Sequence, residues 1–314
     1  MADLILHHFA ASPFSEKVRL MLGYKQLAWK SVTVPNTLPK PDVVSLTGGY
    51  RRTPFLQIGA DIYCDTALIS EVLDQLRPAP TLYPEPGQAL ARILGQWADN
   101  TLFWAAVTYN RGPREAGPNA GAAPNELPQA VFDDRKAMGF DVEWLQPADA
   151  APAYLSYLQR LSGLLDNRPY LLGSQPCIAD FCAYHPLWLV HVRAPASVDI
   201  LRHTPEVMAW VERMRSQGHG SFETLEAAQA ITIAATAEPR PISQEQAPDS
   251  SFLDTHGMPL GSRVAISAES FGREPTAGEL IAATRTCYTL RRVDPRAGVL
   301  HVHFPRIGYV MKRI

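Results

Sequence analysis

Hydrophobic spacing changes twice along this chain, and the changes divide it into three parts. Up to about residue 80, short runs of strand character alternate with runs of helical period. "LILHHF" (4–9) reads as a buried strand, and "FSEKVRLMLGYKQL" as a helix with Val18, Met21 and Leu22 on one side. "AWKSVTV" (28–34) alternates like a second strand until Pro35, Pro39 and Pro41 break the pattern. "TPFLQI" and "DIYC" read as two short strands around Gly59. "DTALISEVLDQL" reads as an amphipathic helix with Asp65 as its cap and Leu68, Val72, Leu73 and Leu76 as its apolar stripe; Pro78 and Pro80 end it. This order of elements calls for a mixed sheet with helices on its faces.

After "PAPTLYPEPG" the period becomes helical and stays so to about Ala235. The candidate helices are 88–108, 153–166, 177–192, 204–217 and 221–234. A Gly-, Pro- and Asn-rich stretch (110–128) reads as a long loop, and "VFDDRKAMGF" beyond it as a short helix. The second change follows a polar linker, 237–260. From Gly261 the strands are short and the turns frequent: "SRVAISA", "ELIAATRTCYTLRRV", "VLHVHF" and "GYVMKRI", with "DPRAG" as a turn. The segment 261–314 reads as a small β-rich, barrel-like unit.

Composition narrows the function classes. A chain of 314 residues, 46% hydrophobic, is long enough for two domains and a small third. A net charge of −2 offers no general attraction to nucleic acid or to an acidic membrane. The most apolar stretch, "FCAYHPLWLVHV", is too short to span a bilayer. Cys64, Cys177, Cys182 and Cys287 show no C-x-x-C spacing, so neither a redox dithiol nor a zinc knuckle is indicated, and free thiols in a reducing cytoplasm are expected. The first apolar run is interrupted by Asp3, His7 and His8 and has no basic flank, so no signal peptide is expected.

Three local patterns carry chemistry. Ser12, in "SPFS", stands at a strand-to-helix junction, where a hydroxyl serves as a helix cap or as a donor to a bound anion. Ser15 is the plainer candidate for a simple cap. "RRTPF" places Pro54 just before a strand, so Thr53-Pro54 is an edge, a bulge or a cis bond. Asp65-Thr66 opens a helix whose free N–H groups suit a carboxylate ligand. His301 and His303 fall on one face of a strand, but no third metal ligand lies nearby in sequence, and no metal is expected.

In this order and at these intervals, followed by "QPCIADFCAYHPLWL", the patterns resemble the glutathione S-transferase family over residues 1 to about 235. The resemblance implies a thioredoxin-like α/β domain at 1–80 and an all-helical domain at 88–236, with the β-rich unit as an addition. It implies that Ser12 hydrogen-bonds the sulfur of glutathione and that the start of the helix at Phe14 helps hold it as a thiolate, lowering its pKa. Thr53, ahead of Pro54, would meet the cysteinyl backbone. Asp65 and Thr66 would hold the ammonium and carboxylate of the γ-glutamyl end, and Arg52 or Lys40 the glycyl carboxylate. Trp104 and Thr108 are candidates for the pocket of a small apolar electrophile. Phe14, Trp97 and Tyr109 read either as pocket or as core.

The implied protein is a cytoplasmic detoxifying enzyme, a homodimer that uses glutathione as co-substrate and has neither nucleic-acid nor membrane partners. Asp65-Thr66 departs from the more usual Glu or Gln followed by Ser. Cys177 replaces the usual Ser or Thr cap of the central helix, which leaves Asp180 to carry that cap as a structural residue. A serine at position 12 cannot form a mixed disulfide, which argues against thiol–disulfide exchange. A glutathione-dependent isomerase or dehalogenase, or a non-catalytic binding module on the same scaffold, stands beside the transferase reading.

Overall fold

A computed structural model describes residues 3–111, 128–139, 145–192, 200–242 and 256–314. Most of the loop expected at 110–128, and the middle of the linker at 237–260, lie outside the described residues.

The first part contains β1 (Leu4–His8), α1 (Pro13–Tyr24), β2 (Trp29–Thr33), α2 (Pro41–Thr47), β3 (Phe55–Ile58), β4 (Asp61–Cys64) and α3 (Thr66–Leu76). It has the expected order with one addition. The proline-broken stretch contains α2, because Pro41 occupies the first helical turn, where a missing N–H costs nothing. Gly48, at φ +83°, ends that helix. β1 pairs parallel with β2 and antiparallel with β3, and β3 pairs antiparallel with β4.

The helical part contains α4 (Gln88–Trp97), α5 (Phe103–Arg111), α6 (Gln129–Ala137), α7 (Pro147–Leu164), α8 (Ile178–Leu187) and α9 (Pro205–Arg215). Wide π-type turns at Ala98–Leu102 and Trp188–Val192 follow α4 and α8. Val18, Met21 and Leu22 of α1 share a core with Phe181 and Tyr184 of α8 and with Trp210 of α9. The stretch 221–234 splits: Phe222–Thr224 forms an edge strand, β5, parallel to β2, and α10 runs only from Ala227 to Thr236. Phe222 stacks on Trp29 with ring centroids 4.6 Å apart, and Glu226 opens the helix by donating its N–H to Gln229 (3.1 Å). Cross-strand stacking and the late cap override the helical period there.

The last part supplies β6 (Arg263–Ala268), β7 (Thr276–Ala283), β8 (Cys287–Asp294), β9 (Gly298–Pro305) and β10 (Tyr309–Arg313). The run "ELIAATRTCYTLRRV" is two strands, β7 and β8, turned at Thr284–Thr286. These strands form an open ladder that continues the first sheet: β9 pairs parallel with β4, giving the order β10-β6-β7-β8-β9-β4-β3-β1-β2-β5. Phe55, Ile62 and Cys64 lie in one apolar cluster with Leu290, Val302 and Phe304. The seam is pinned by Asp61, which accepts from His303 Nε2 (2.9 Å) and from the Arg240 N–H (2.9 Å). Tyr63 stacks on His303 at 4.5 Å.

The β-rich unit also reaches the loop before β3. Tyr50 donates its N–H to Thr276 Oγ1 (3.1 Å), which in turn donates to the Thr47 carbonyl (3.0 Å). At Gly49 a Cβ would collide with the Pro275 carbonyl. Gly49→Ala is therefore expected to lower stability by about 1–3 kcal/mol, read as a shifted denaturant midpoint. An unchanged midpoint would contradict this close approach.

Candidate active site

Ser12 is the N-cap of α1. Its Oγ accepts the Ser15 N–H at 3.1 Å and faces the Thr53 carbonyl, to which it donates at 3.5 Å. Ser15 is thus not the simple cap: it lies inside the first turn, and its buried hydroxyl has no hydrogen-bond partner among the described residues. Pro13 has no N–H, so the first amide of α1 belongs to Phe14. A thiolate beside Ser12 would meet a hydroxyl donor and the positive end of a helix. The Thr53-Pro54 peptide is cis.

Asp65 caps α3 from an unusual backbone position, φ +76°, that non-glycine residues rarely adopt. Besides the helix bond from the Ile69 N–H to its carbonyl (3.0 Å), three hydrogen bonds hold it. Its N–H donates to Tyr50 Oη (3.1 Å), its Oδ1 accepts the Ala67 N–H (3.0 Å), and its Oδ2 accepts the hydroxyl of Tyr309 on β10 (2.9 Å). Thr66 is buried at the start of α3. Arg52 Nη1 stands 3.7 Å from Asp65 Oδ2. Its Nε donates to the Phe271 carbonyl (2.6 Å), Nη2 donates to the same carbonyl, and Nη2 also reaches Ser270 Oγ (3.4 Å).

Lys40, at the start of α2, is 3% exposed. Burial, then the nearby Arg135 charge, pulls its ammonium down to about 8, with Asp134 opposing. Arg51 beside it pairs with Asp134 (2.9 Å) and Glu274 (2.5 Å). A cavity of about 450 Å³ opens nearby, lined by Lys136, Ala137, Met138, Gly139, Arg273 and Glu274.

Aromatic rings form the wall toward the helical part. Phe14 packs on Phe103 (4.8 Å) and His185 (4.4 Å), and Trp104 lies between Phe103 (5.2 Å) and Phe271 (6.0 Å). Thr108 follows one turn later on α5, half-buried. Trp97 and Tyr109 pack instead on Tyr157 and Tyr154 of α7, in the core. Beneath Phe14, Lys17 pairs with Asp99 (2.7 Å), which also accepts from His185 Nε2 (2.9 Å).

Asp180 lies in the helical core, apart from this group. It accepts the N–H of Cys177 (3.0 Å), that of Leu171 (2.9 Å) and the indole N–H of Trp210 (2.9 Å). His301 and His303 belong to the β4–β9 seam, where Asp61 occupies His303. Among the described residues no three His, Cys, Asp or Glu side chains are arranged to hold a metal, and no helix is long and apolar enough to cross a membrane.

Tyr309, Ser270 and Phe271 reach this site from the β-rich unit and have no motif in the sequence. The one local signal is the Gly48-Gly49 pair just before "RRTPF", a place where another backbone can approach closely.

Family models of the glutathione S-transferase N-terminal and C-terminal domains match residues 6–81 and 146–217. A solved structure described as a GST-like protein from Pseudomonas syringae is 39% identical, with a TM-score of 0.81 and 100% of both chains covered. The chain belongs to the glutathione S-transferase family. Its thioredoxin-like and helical domains are those of the family, and the Pseudomonas syringae protein is similar through the β-rich unit as well. Two further likenesses concern the fold alone. Rice GST1, solved in complex with glutathione, is 18% identical at a TM-score of 0.50, covering 67% of this chain and 86% of that one. The beta-etherase LigF from Sphingobium sp. strain SYK-6 is 19% identical at 0.51, covering 68% and 95%. No curated protein sequence matches the chain.

Proposed function

We propose that this family member is a glutathione transferase in which Ser12 holds the sulfur of glutathione as a thiolate for attack on a small apolar electrophile. The observation that carries this reading is the Ser12 hydroxyl at the N-terminus of α1, 3.5 Å from the Thr53 carbonyl. Free glutathione is mostly protonated at neutral pH, and only the thiolate attacks well. A hydroxyl donor and a helix N-terminus stabilise that form.

In this reading the Thr53 main chain, ahead of Pro54, aligns the cysteinyl residue. Asp65 and Thr66 take the γ-glutamyl end, and Lys40 takes the glycyl carboxylate. Phe14, Trp104 and Thr108 border the second substrate. The enzyme works in the cytoplasm as a homodimer, which light scattering checks: a monomer would remove that part of the reading.

Ser12→Ala is expected to lower kcat by about 10²–10³-fold, with glutathione affinity changed only a few-fold. It also removes a cap worth about 1 kcal/mol, whereas Ser12→Gly costs only a few tenths. Both variants should lose turnover, and only the alanine should lose stability. Unchanged turnover in both would sink the mechanism. A non-catalytic binding module is the second reading, favoured by the additional β-rich unit and by the unusual Asp65-Thr66 pair. Absent glutathione binding would support it.

A further inference from the structure

Asp65 and Arg52 are held from outside the glutathione S-transferase domains. The Tyr309 hydroxyl donates to Asp65 Oδ2 from the last strand of the chain. The Phe271 carbonyl, between β6 and β7, accepts both Nε and Nη2 of Arg52. This fixes the guanidinium on one edge and leaves Nη1 at 3.7 Å from Asp65. The Tyr309 ring lies 5.8 Å from the same guanidinium. A fixed anion and a fixed cation therefore stand side by side at the start of α3. Their side chains are 23% and 21% exposed, open to a ligand yet largely out of water. Charges so placed interact more strongly than on an open surface.

Such a pair is complementary to a head group that carries an ammonium and a carboxylate on one carbon. We propose that the β-rich unit is a positioning element of the substrate site: Tyr309 and the Phe271 carbonyl hold Asp65 and Arg52 as an opposed pair that receives the α-amino-acid head of the thiol substrate. The inference rests on the glutathione reading and deepens it. Asp65 meets the ammonium, and Arg52 Nη1 joins Thr66 at the carboxylate. Without the Tyr309 hydroxyl, Asp65 Oδ2 loses the neutral donor that aims it at the ammonium, while Arg52 stays gripped by the Phe271 carbonyl. Tyr309 touches no reacting atom, so it acts on binding and not on the chemical step.

The test compares reduced glutathione with its desamino analogue, in which hydrogen replaces the α-amino group, by calorimetric titration of the full chain. Wild type is expected to favour glutathione. Tyr309→Phe keeps the ring and removes one hydrogen bond to a charged group, so it should weaken glutathione about tenfold and leave the analogue unchanged. Its KM for glutathione should rise while kcat at saturation stays put. Arg52→Lys keeps the charge but loses the fork that grips Phe271. It should weaken both ligands, and more so than it weakens a decarboxy analogue that lacks the α-carboxylate. It decides the matter if Tyr309→Phe does not fold.

Equal weakening of all ligands by these variants, no change, or tighter glutathione binding in Tyr309→Phe would each overturn the positioning role. Tighter binding would mean that the β-rich unit competes with the ligand. Wild type that binds neither glutathione nor its analogues would instead bring down the glutathione reading, and this inference with it.

Discussion

Asp99→Ala is expected to destabilise the protein by about 3–5 kcal/mol, the largest effect of any single substitution considered. Lys17 has a fully buried side chain, and its ammonium is held by Asp99 at 2.7 Å, with Cys182 Sγ at 3.6 Å. Burial works against each charge. The pairing more than offsets it: the Lys17 pKa lies above its ordinary value, and Asp99, flanked by Lys17 and His185, lies below its own. Removing the carboxylate strands an ammonium that has lost its water. It also frees His185 Nε2 at the joint between α1 and α8, directly under Phe14. Replacing both ions, as in Lys17→Met with Asp99→Leu, should recover most of the loss, because a matched apolar pair leaves no buried charge. Urea unfolding of the two variants decides it. A loss under about 1 kcal/mol for Asp99→Ala would mean that Lys17 finds water or another anion.

Acid should destabilise the protein steeply from about pH 6.5 downward. Burial lowers the pKa values of His7, His8 and His185 to about 4 and that of His191 to about 3. Each lies below the ordinary value of 6.5, so between pH 6.5 and 4 the unfolded chain binds protons that the folded chain refuses. Stability is therefore complete above pH 6.5 and falls with acid, by up to about 1.4 kcal/mol per pH unit for each histidine. His301, half-buried, adds in the same direction. Asp99 and Glu16, both held below the ordinary carboxylate range, extend the loss to lower pH. Asp180 runs the other way, since burial raises its pKa, but one group does not cancel four. The unfolding free energy measured by denaturant titration at pH 7.5 and at pH 5 should differ by several kcal/mol, and a flat profile would contradict burial of the neutral imidazoles.

Much of this fold is written locally. Strand and helix periods mark β1, α1, β2, β3, β4 and α3, because each buries a face whose spacing is visible over a few residues. Ser12 and Asp65 stand at helix starts for the same reason. Other features depend on distant partners. α2 hides behind prolines that read as breakers until Pro41 is seen in a first turn. β5 exists because Trp29 offers Phe222 a ring to stack on. The union of β9 with β4 joins residues some 240 positions apart, as in the Asp61–His303 bond, and no local pattern encodes such pairing. Tyr309 and Phe271 fall under the same rule: an ordinary strand tyrosine and a loop carbonyl gain their meaning only when the sheet carries them to Asp65 and Arg52.

The proposed function requires that this site bind glutathione and ionise its thiol beside Ser12. Its most direct test is calorimetric titration with reduced glutathione near neutral pH, repeated in buffers of different ionisation enthalpy to count the protons released. Saturable binding with net proton release is expected in wild type, and binding with much less release in Ser12→Ala. Binding without proton release would contradict the thiolate mechanism, and no binding at all would contradict the site.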